Sequence, residues 1–546
     1  MLTIIPILYS LFHIIRDYLF FYIISIFVIF SILQADNDTI VELPIGLSDD
    51  EKIRIHEIYT MGRQTDPPPT PIRNVAEFER MKGVLIRYPF GISVDIIAEI
   101  SEAVTIYCLV SSIQESSAED IMGNNGVNMD NVEFVLGDTD SYWTRDYGPW
   151  WIVDGQRNMS IVDFTYNRPR PNDNQAPWKM SLHLNVSYFA TDIIQAGGNY
   201  MTDGLGASAS SELVFEENEI SNDSLFDIMQ DYYGIENYHV IADPNNTYID
   251  HIDCWAKFLS PTSILIREVP ENHAQFDEIE QTANYFANTI NEWGNYWKVY
   301  RVWTPNDQPY TNSLILNDKV LVPITGSSWD DEAISVYQNA MPGYEVLGFA
   351  GSWESTDALH CRVKGIPDLD MLQIFHNPIN DTTGPVEDGY EVEIFLDDLS
   401  DTGLIEDSIK IFWRTHEMNT WSESPMYNLN SQAGPDIRIG WIPALSDTGV
   451  IQYYVKAADS SGRVEGHPLA GYHEFLAMPT EACQLWSLGD LDNSNSIEIF
   501  DILLLADIVV TNLSIGICPD YVSDVNQDNT VDAVDILLLA NRILFP

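Results

Sequence analysis

The sequence predicts an α/β protein over its longer first part, followed by a smaller all-β region and a short helical region built to hold cations. Three observations predict this. Between about residues 73 and 377, short β-type runs alternate with helical ones. From about 378 to 478 only strand-like runs between turn clusters occur. Near the C-terminus, Asp501-Ile502-Leu503-Leu504-Leu505-Ala506 recurs 34 residues later as Asp535-Ile536-Leu537-Leu538-Leu539-Ala540. A chain of 546 residues is also too long for one core.

In chain order, residues 18–33 form an apolar run of signal-peptide length, too short for a comfortable membrane span. With Gln34-Ala35 as the cleavage point, 1–35 reads as a signal peptide. Because 2–12 is also apolar, an uncleaved N-terminal anchor is the alternative. Either way the protein is expected outside the cytoplasm, secreted or attached to the cell surface. Residues 36–72 form a polar lead-in or propeptide ending in Pro67-Pro68-Pro69-Thr70-Pro71, which cannot be helix or central strand. The α/β region follows, with strands expected at 83–87, 104–107, 263–266, 314–316 and 320–322 and a helix at 276–293. In the next region, strands are expected at 391–396, 408–413, 436–441 and 449–457. Its length of about 100 residues and its late strand-and-turn pattern resemble an immunoglobulin-like sandwich.

The charge is lopsided: 26 Lys+Arg against 82 Asp+Glu give a formal net charge of −56. Such a surface excludes nucleic-acid and anionic-membrane binding and tolerates cationic substrates. General solubility, or adaptation to a salty medium, is the plainer cause of the charge. Of the five cysteines, Cys483 and Cys518 bracket one small module and read as a disulfide pair, leaving Cys108, Cys254 and Cys361.

The repeats spanning 483–546 open with oxygen-rich loops. Asp490, Asp492, Ser494, Ser496, Glu498 and Asp501 stand at positions 1, 3, 5, 7, 9 and 12, and Asp524, Asn526, Asp528, Thr530, Asp532 and Asp535 fill the same places in the second. A hard Ca²⁺ ion takes six to eight oxygens, which this spacing wraps around one ion before a helix begins. Two acidic helix starts would be the plainer reading, but two loops in phase with identical helices weigh against it. The module resembles a type I dockerin, which implies docking to a cohesin-bearing scaffold. Asn495 and Asn529 stand where such loops favour glycine, which Asn tolerates in a left-handed turn.

Four segments of the α/β region carry reactive groups. Trp143-Thr144-Arg145-Asp146-Tyr147-Gly148-Pro149-Trp150 sets a carboxylate among aromatic rings. His251-Ile252-Asp253 spaces an imidazole and a carboxylate two apart, which on a strand puts both on one face and turns Cys254 away, buried and inert. Tyr310-Thr311-Asn312-Ser313 supplies an amide and hydroxyls before a buried strand. The thiol of Cys361 stands between His360 and Arg362, cationic neighbours expected to lower its pKa. Singly, each has a structural explanation. Together, Cys361, His251, Asp146 and Asp253 suit attack on a guanidinium carbon: two carboxylates grip the planar cation, the thiolate adds and the imidazole moves protons. A cysteine protease would use the thiol and imidazole but leave Asp146 without a task.

These segments resemble the porphyromonas-type peptidylarginine deiminases, relatives of agmatine deiminase in the pentein superfamily. The resemblance implies a five-bladed α/β propeller over 73–377, with Cys361 as nucleophile, His251 as general acid and base, and Asp146 and Asp253 as guanidinium clamps. It further implies that Trp143, Tyr248 and Asn312 line the pocket beside the turn Gly197-Gly198-Asn199. Arg168 and Arg170, two apart across Pro169, match arginines that hold a peptide's terminal carboxylate in the peptide-acting branch; an internal salt bridge is the other reading. The expected activity is therefore deimination of arginine in peptides, preferably C-terminal, to citrulline and ammonia. No organic cofactor is implied, and calcium is confined to the repeats. Deimination of small guanidines such as agmatine or free arginine is the first alternative, and a non-catalytic, cohesin-docked binding protein the second.

Overall fold

A computed structural model describes residues 43–245, 249, 251–379, 382–383, 389–429, 436–445, 447–477, 486–511, 515, 517–526 and 530–544. The apolar run at 18–33, Tyr248, Cys483 and Asp528 lie outside these residues. No helix among the described residues is long and apolar enough to cross a membrane.

The α/β region is built from one unit used five times: two antiparallel strands, a helix, and a third strand running parallel to the second. Trp150–Val153 and Met159–Tyr166 pair, helix Ala176–Leu184 follows, and Ser187–Gln195 returns parallel. The pattern repeats with Met201–Thr202, Ala207–Ser211, helix Asn222–Tyr233 and Asn237–Ile241. Ala256–Ser260, Ser263–Glu268, helix Phe276–Ala287 and Lys298–Trp303 form the next unit. Leu314–Leu316, Lys319–Ile324, helix Asp330–Ala340 and Glu345–Ala350 follow. The remaining unit is split across the region's ends. Its first strand is the late Lys364–Pro367, which pairs antiparallel with the early Met81–Arg87; helix Val94–Ser101 and parallel Thr105–Val110 complete it, and Val132–Leu136 widens it.

Each unit must be right-handed and covered by its helix, because a parallel pair needs a crossover that packs back on the sheet. The middle strands are accordingly buried throughout: Ile106, Tyr107, Cys108 and Leu109 are fully enclosed, as are Ile264, Leu265 and Ile266. All five strands expected from sequence in this region are present. The helix expected at 276–293 stops at Ala287. There Asn288 and Thr289 fold their side chains back onto the carbonyls of Asn284 and Tyr285, and Asn291 organises a turn through Gly294 at φ +81°. The five sheets are separate, and none closes on itself.

Beyond them, two mainly antiparallel sheets enclose a core of Val392, Ile394, Ile411, Ile451, Tyr453, Val455 and Phe475, with Thr382–Thr383 added parallel at the edge of the second. One sheet contains Leu372–Phe375, Tyr390–Asp398, Asp436–Ile442 and Tyr427–Asn428; the other centres on Gly449–Ala458, flanked by Lys410–Thr415 and His473–Ala477. Leu372–Phe375 thus belongs by pairing to this region, a few residues before the boundary read from composition.

At the C-terminus, helices Ile499–Thr511 and Ala533–Leu544 share a core of Leu491, Leu505, Val522, Val525 and Leu539. The repeat holds in three dimensions. Asp501 accepts the backbone N–H groups of Leu491, Asp492 and Glu498, and Asp535 those of Val525, Asn526 and Asp532. Asn495 adopts the left-handed conformation, φ +64°. Cys518 is disulfide-bonded, whereas Cys108, Cys254 and Cys361 are free.

Candidate active site

Five short segments meet at one place, and each holds the same position in its unit, immediately before the first antiparallel strand. They are the helical turn Thr144–Tyr147, the 3₁₀ turns Gly197–Asn199, Ile252–Cys254 and His360–Arg362, and the segment 310–313 before Leu314–Leu316. Thr144–Tyr147 packs on Gly197–Asn199 and His360–Arg362, and Gly197–Asn199 packs on Ile252–Cys254. A repeated fold therefore converges five equivalent loop ends on one point.

The convergence brings the predicted catalytic set together. Cys361 is fully enclosed; its Sγ lies 3.2 Å from Asn312 Nδ2 and 3.8 Å from Asp253 Oδ2. Asn312 Oδ1 also accepts the Cys361 N–H at 3.3 Å, so one amide orients both backbone and thiol. His251 Nδ1 stands 3.6 Å from Asp146 Oδ1. Both ring nitrogens of His251 lack a hydrogen-bond partner among the described residues. Gly198 lies between these groups and donates its N–H to Asp146 Oδ1 at 3.2 Å. A Cβ there would come within 2.7 Å of Asp146 Oδ1 and of His251 Nδ1, and 3.2 Å of Asp253 Oδ2. Only glycine leaves that space open.

His251-Ile252-Asp253 is not a strand, as expected, but an extended residue followed by a 3₁₀ turn. The turn is what carries Asp253 towards Cys361 while His251 faces Asp146. Cys254 is buried as expected, and burial together with Asp253 raises its thiol pKa well above the ordinary value.

The expected activation of Cys361 by cationic neighbours is corrected. Arg362 turns away, donating to both oxygens of Asp357 at 2.9 and 2.8 Å and to Gly91 O, with Tyr142 and Trp353 rings beside it. His360 points at two carboxylates instead: Nδ1 is 2.7 Å from Asp253 Oδ2 and Nε2 is 2.6 Å from Glu77 Oε2. Burial, reinforced by Asp253, Asp357 and Asp146, therefore raises the Cys361 pKa well above that of a free thiol. Without a bound cation the sulfur is a thiol.

The two clamp candidates are driven apart. Burial and the neighbouring Asp253 push Asp146 up to about 8, against an opposing pull from Arg168. Asp253 is equally buried, but its hydrogen bond from His360 and the nearby charges hold it below the ordinary value. Burial lowers His251 to about 4, so its imidazole is neutral at pH 7.

The remaining candidates divide. Trp143 is buried, with the Arg170 guanidinium 5.1 Å from its ring. Arg170 is paired internally: Nε and Nη2 lie 2.6 and 3.3 Å from the Glu51 carboxylate, and both residues are 1% exposed. This is the salt-bridge reading of Arg170. Arg168 is buried nearer the centre, where its charge bears on both Asp146 and His251. In the C-terminal loops, carboxylate oxygens of Asp490, Asp492 and Asp501 all lie within 4.8 Å of one another. Ser494 and Ser496 stand beside them, Ser494 Oγ donating to Ser496 O at 2.9 Å.

Glu77 and Lys257 were not singled out from the sequence, and His360 only as a neighbour of Cys361. Glu77 accepts from Lys257 Nζ at 2.9 Å, forms an ion pair with Arg145 Nη2 at 2.6 Å, and faces His360. These partners lie 68 or more residues away, beyond any local spacing rule.

The geometry agrees with what the chain is similar to. Residues 81–367, just over half of the chain, match the family described as Porphyromonas-type peptidyl-arginine deiminase. A Mycoplasma capricolum protein named "Putative agmatine deiminase" is 23% identical over 300 residues, 46% of this chain and 80% of its own. A Legionella pneumophila protein of the same name is 24% identical over 303 residues, 50% of this chain and 83% of its own. The solved structure of the agmatine deiminase of Enterococcus faecalis superposes with a TM-score of 0.50 at 17% identity, covering 56% of this chain and 99% of that one.

Proposed function

The chain belongs to the Porphyromonas-type peptidyl-arginine deiminase family, and from that premise we propose that it converts arginine in peptides, preferably C-terminal, to citrulline and ammonia. The observation that carries the reading is the enclosed thiol of Cys361 facing Asp253, with His251 and Asp146 across Gly198. A guanidinium is the cation this arrangement fits, because a planar fork matches two carboxylates.

The chemistry follows from the protonation states. The bound guanidinium adds positive charge beside Cys361 and Asp146, favouring their anionic forms. Neutral His251 takes the thiol proton as the S–C bond forms, then gives it to the departing nitrogen, which leaves as ammonia. The resulting thiouronium is attacked by water, whose proton His251 accepts, and the C–S bond breaks to release the ureido product. Asn312, donating to the sulfur, holds it in line.

The peptide preference rests on Arg168 and Arg170, two buried guanidinium groups on one segment. In this reading Glu51 occupies Arg170 until a substrate carboxylate competes for it. A second reading, deimination of agmatine, is favoured by the names of the relatives and by Glu51 itself, whose carboxylate offsets a positive charge that would repel an amine. The five units are read as the blades of a pentein propeller, and the two antiparallel sheets as an immunoglobulin-like domain. The terminal repeats are read as a dockerin binding Ca²⁺ through Asp490, Asp492, Ser494, Ser496 and Asp501, and through Asp524, Asn526, Asp528, Thr530 and Asp535. In support, the apolar pairs Phe500 and Val534, and Leu503 and Leu537, occupy equivalent repeat positions and are exposed, a surface suited to a cohesin. Export to the cell surface or medium completes the proposal.

The test offers the purified protein four substrates: a peptide ending in arginine, a peptide with internal arginine, free arginine and agmatine. Ammonia and citrulline are expected fastest from the first. Fastest release from agmatine would move the activity to the second reading.

A further inference from the structure

The deimination reading leaves one buried polar assembly without a task. Glu77 lies between Arg73–Asn74 and Met81–Arg87 and reaches under the site. Its Oε1 accepts from Lys257 Nζ at 2.9 Å and the Ile315 N–H at 3.0 Å. Its Oε2 lies 2.6 Å from both Arg145 Nη2 and His360 Nε2. His360 then carries the contact onward, its Nδ1 standing 2.7 Å from the Asp253 oxygen that faces Cys361 Sγ.

Resting on that reading, we propose that Glu77 is a positioning residue for deimination, acting through His360 to keep Asp253 ionised and aimed at the guanidinium. The argument is a proton count. Both ring nitrogens of His360 lie at hydrogen-bond distance from a carboxylate oxygen, and an ionised carboxylate only accepts. The ring must therefore donate on both sides to satisfy both partners. A neutral ring would turn a lone pair towards one carboxylate. Glu77 thus holds the ring proton at Nε2 and leaves Nδ1–H for Asp253.

Other charged groups around the assembly fit this role. Arg145 and Lys257 keep Glu77 an anion, so that its pKa lies well below the usual carboxylate value despite burial. Burial, Arg145 and Lys257 lower the His360 pKa below the ordinary imidazole value against the opposite pull of Glu77 and Asp253, so a doubly protonated ring depends on both carboxylates. Lys364 lies nearby, its Nζ 3.3 Å from the Trp150 ring centroid, and burial and Arg145 hold its pKa well below the ordinary lysine value. On the far side Asp253 faces Cys361 and the repelling charge of Asp146. Without Glu77, Asp253 alone faces the cations, the ring loses its second proton, and Asp253 loses its charge-assisted bond.

The test compares the native protein with Glu77→Gln and Glu77→Asp. In Glu77→Gln the acid limb of the pH profile of kcat/KM for ammonia release is expected to move up by about one pH unit, the usual effect of losing an opposite charge nearby. Glu77→Asp keeps the charge and should return the limb towards its native position, even at a lower rate. An equal loss of rate at every pH in both variants would overturn the inference and leave Glu77 a structural residue. A second readout does not depend on turnover: the ¹³C-detected titration of the His360 ring, assigned with His360→Asn. Loss of the ring proton at lower pH in Glu77→Gln than in the native protein supports the relay, and an unchanged titration overturns it. If the native protein releases no ammonia from any guanidine, the deimination reading fails by itself, while the ring titration still decides whether Glu77 controls His360.

Discussion

Asp146 is a buried carboxyl group whose ionisation works against the fold. Its folded pKa of about 8 lies above the ordinary carboxylate value because burial and Asp253 disfavour its charge. A raised folded pKa means that stability is greatest below the unfolded value and declines as pH rises towards the folded one. Asp146→Asn, which keeps an acceptor for the Gly198 N–H, should therefore melt several degrees higher than the native protein at about pH 8 and show little gain at about pH 4. It should lose ammonia release at both. Thermal melts at the two pH values check this, and a variant less stable at the higher pH would contradict it. The residues assigned to the reaction could be picked out in the sequence because their types are chemically specific: a thiol, an imidazole and two carboxylates suit one reaction. The pKa of Cys361 was misjudged from its neighbours in sequence. Arg362 and His360 are adjacent along the chain, but their charged ends bond to Asp357, Asp253 and Glu77. Adjacency says nothing about where a long side chain ends.

At the scale of the elements, one position in a repeated unit explains the site. The turns at 144–147, 197–199, 252–254 and 360–362 and the segment 310–313 each precede the first strand of a unit, so bringing the strands together brings their leading residues together. Strands at this scale were readable from short apolar runs, since parallel strands buried on both faces lack alternation. The repeated unit was not, because its split member joins Lys364–Pro367 to Met81–Arg87 across nearly the whole region. Helix Asp49–Arg54 was also missed; it carries Glu51, which pairs with Arg170. If Arg170 serves a substrate carboxylate, Glu51→Gln should raise kcat/KM on a peptide ending in arginine, by about tenfold, while leaving the amidated peptide nearly unchanged. Competition kinetics with the acid and amide peptides measure the ratio. Equal changes on both would make the Glu51 pair purely structural, and a specific loss on agmatine would favour the small-guanidine reading.

At the scale of the whole molecule, the proposed calcium loops and the proposed reaction occupy separate parts of the chain. The formal net charge is −56, and none of the groups assigned to deimination lies in the terminal repeats. Asp490, Asp492 and Asp501 bring three carboxylates together, an arrangement that repels itself without a cation. Calcium removal should therefore unfold the segment after the antiparallel sheets and abolish binding to a cohesin, while ammonia release continues at its native rate. Circular dichroism and the turnover assay, run together with and without chelator, check this. Loss of turnover on chelation from a chain ending before the repeats would place a metal requirement in the α/β region instead. The 34-residue period was visible in sequence because Asp501-Ile502-Leu503-Leu504-Leu505-Ala506 recurs unchanged at 535–540 and oxygen-bearing residues fill the same loop positions before each copy.

The central claim is that Cys361 forms a covalent bond to a guanidinium carbon. The most direct measurement is intact-protein mass spectrometry after rapid acid quenching with an arginine-containing peptide, for the native protein and for Cys361→Ser. The account predicts an adduct of the peptide less ammonia on Cys361 in the native protein, citrulline in the released product, and neither in the variant. Citrulline formed at the native rate by Cys361→Ser, or an adduct carried by Cys254 instead, would contradict it.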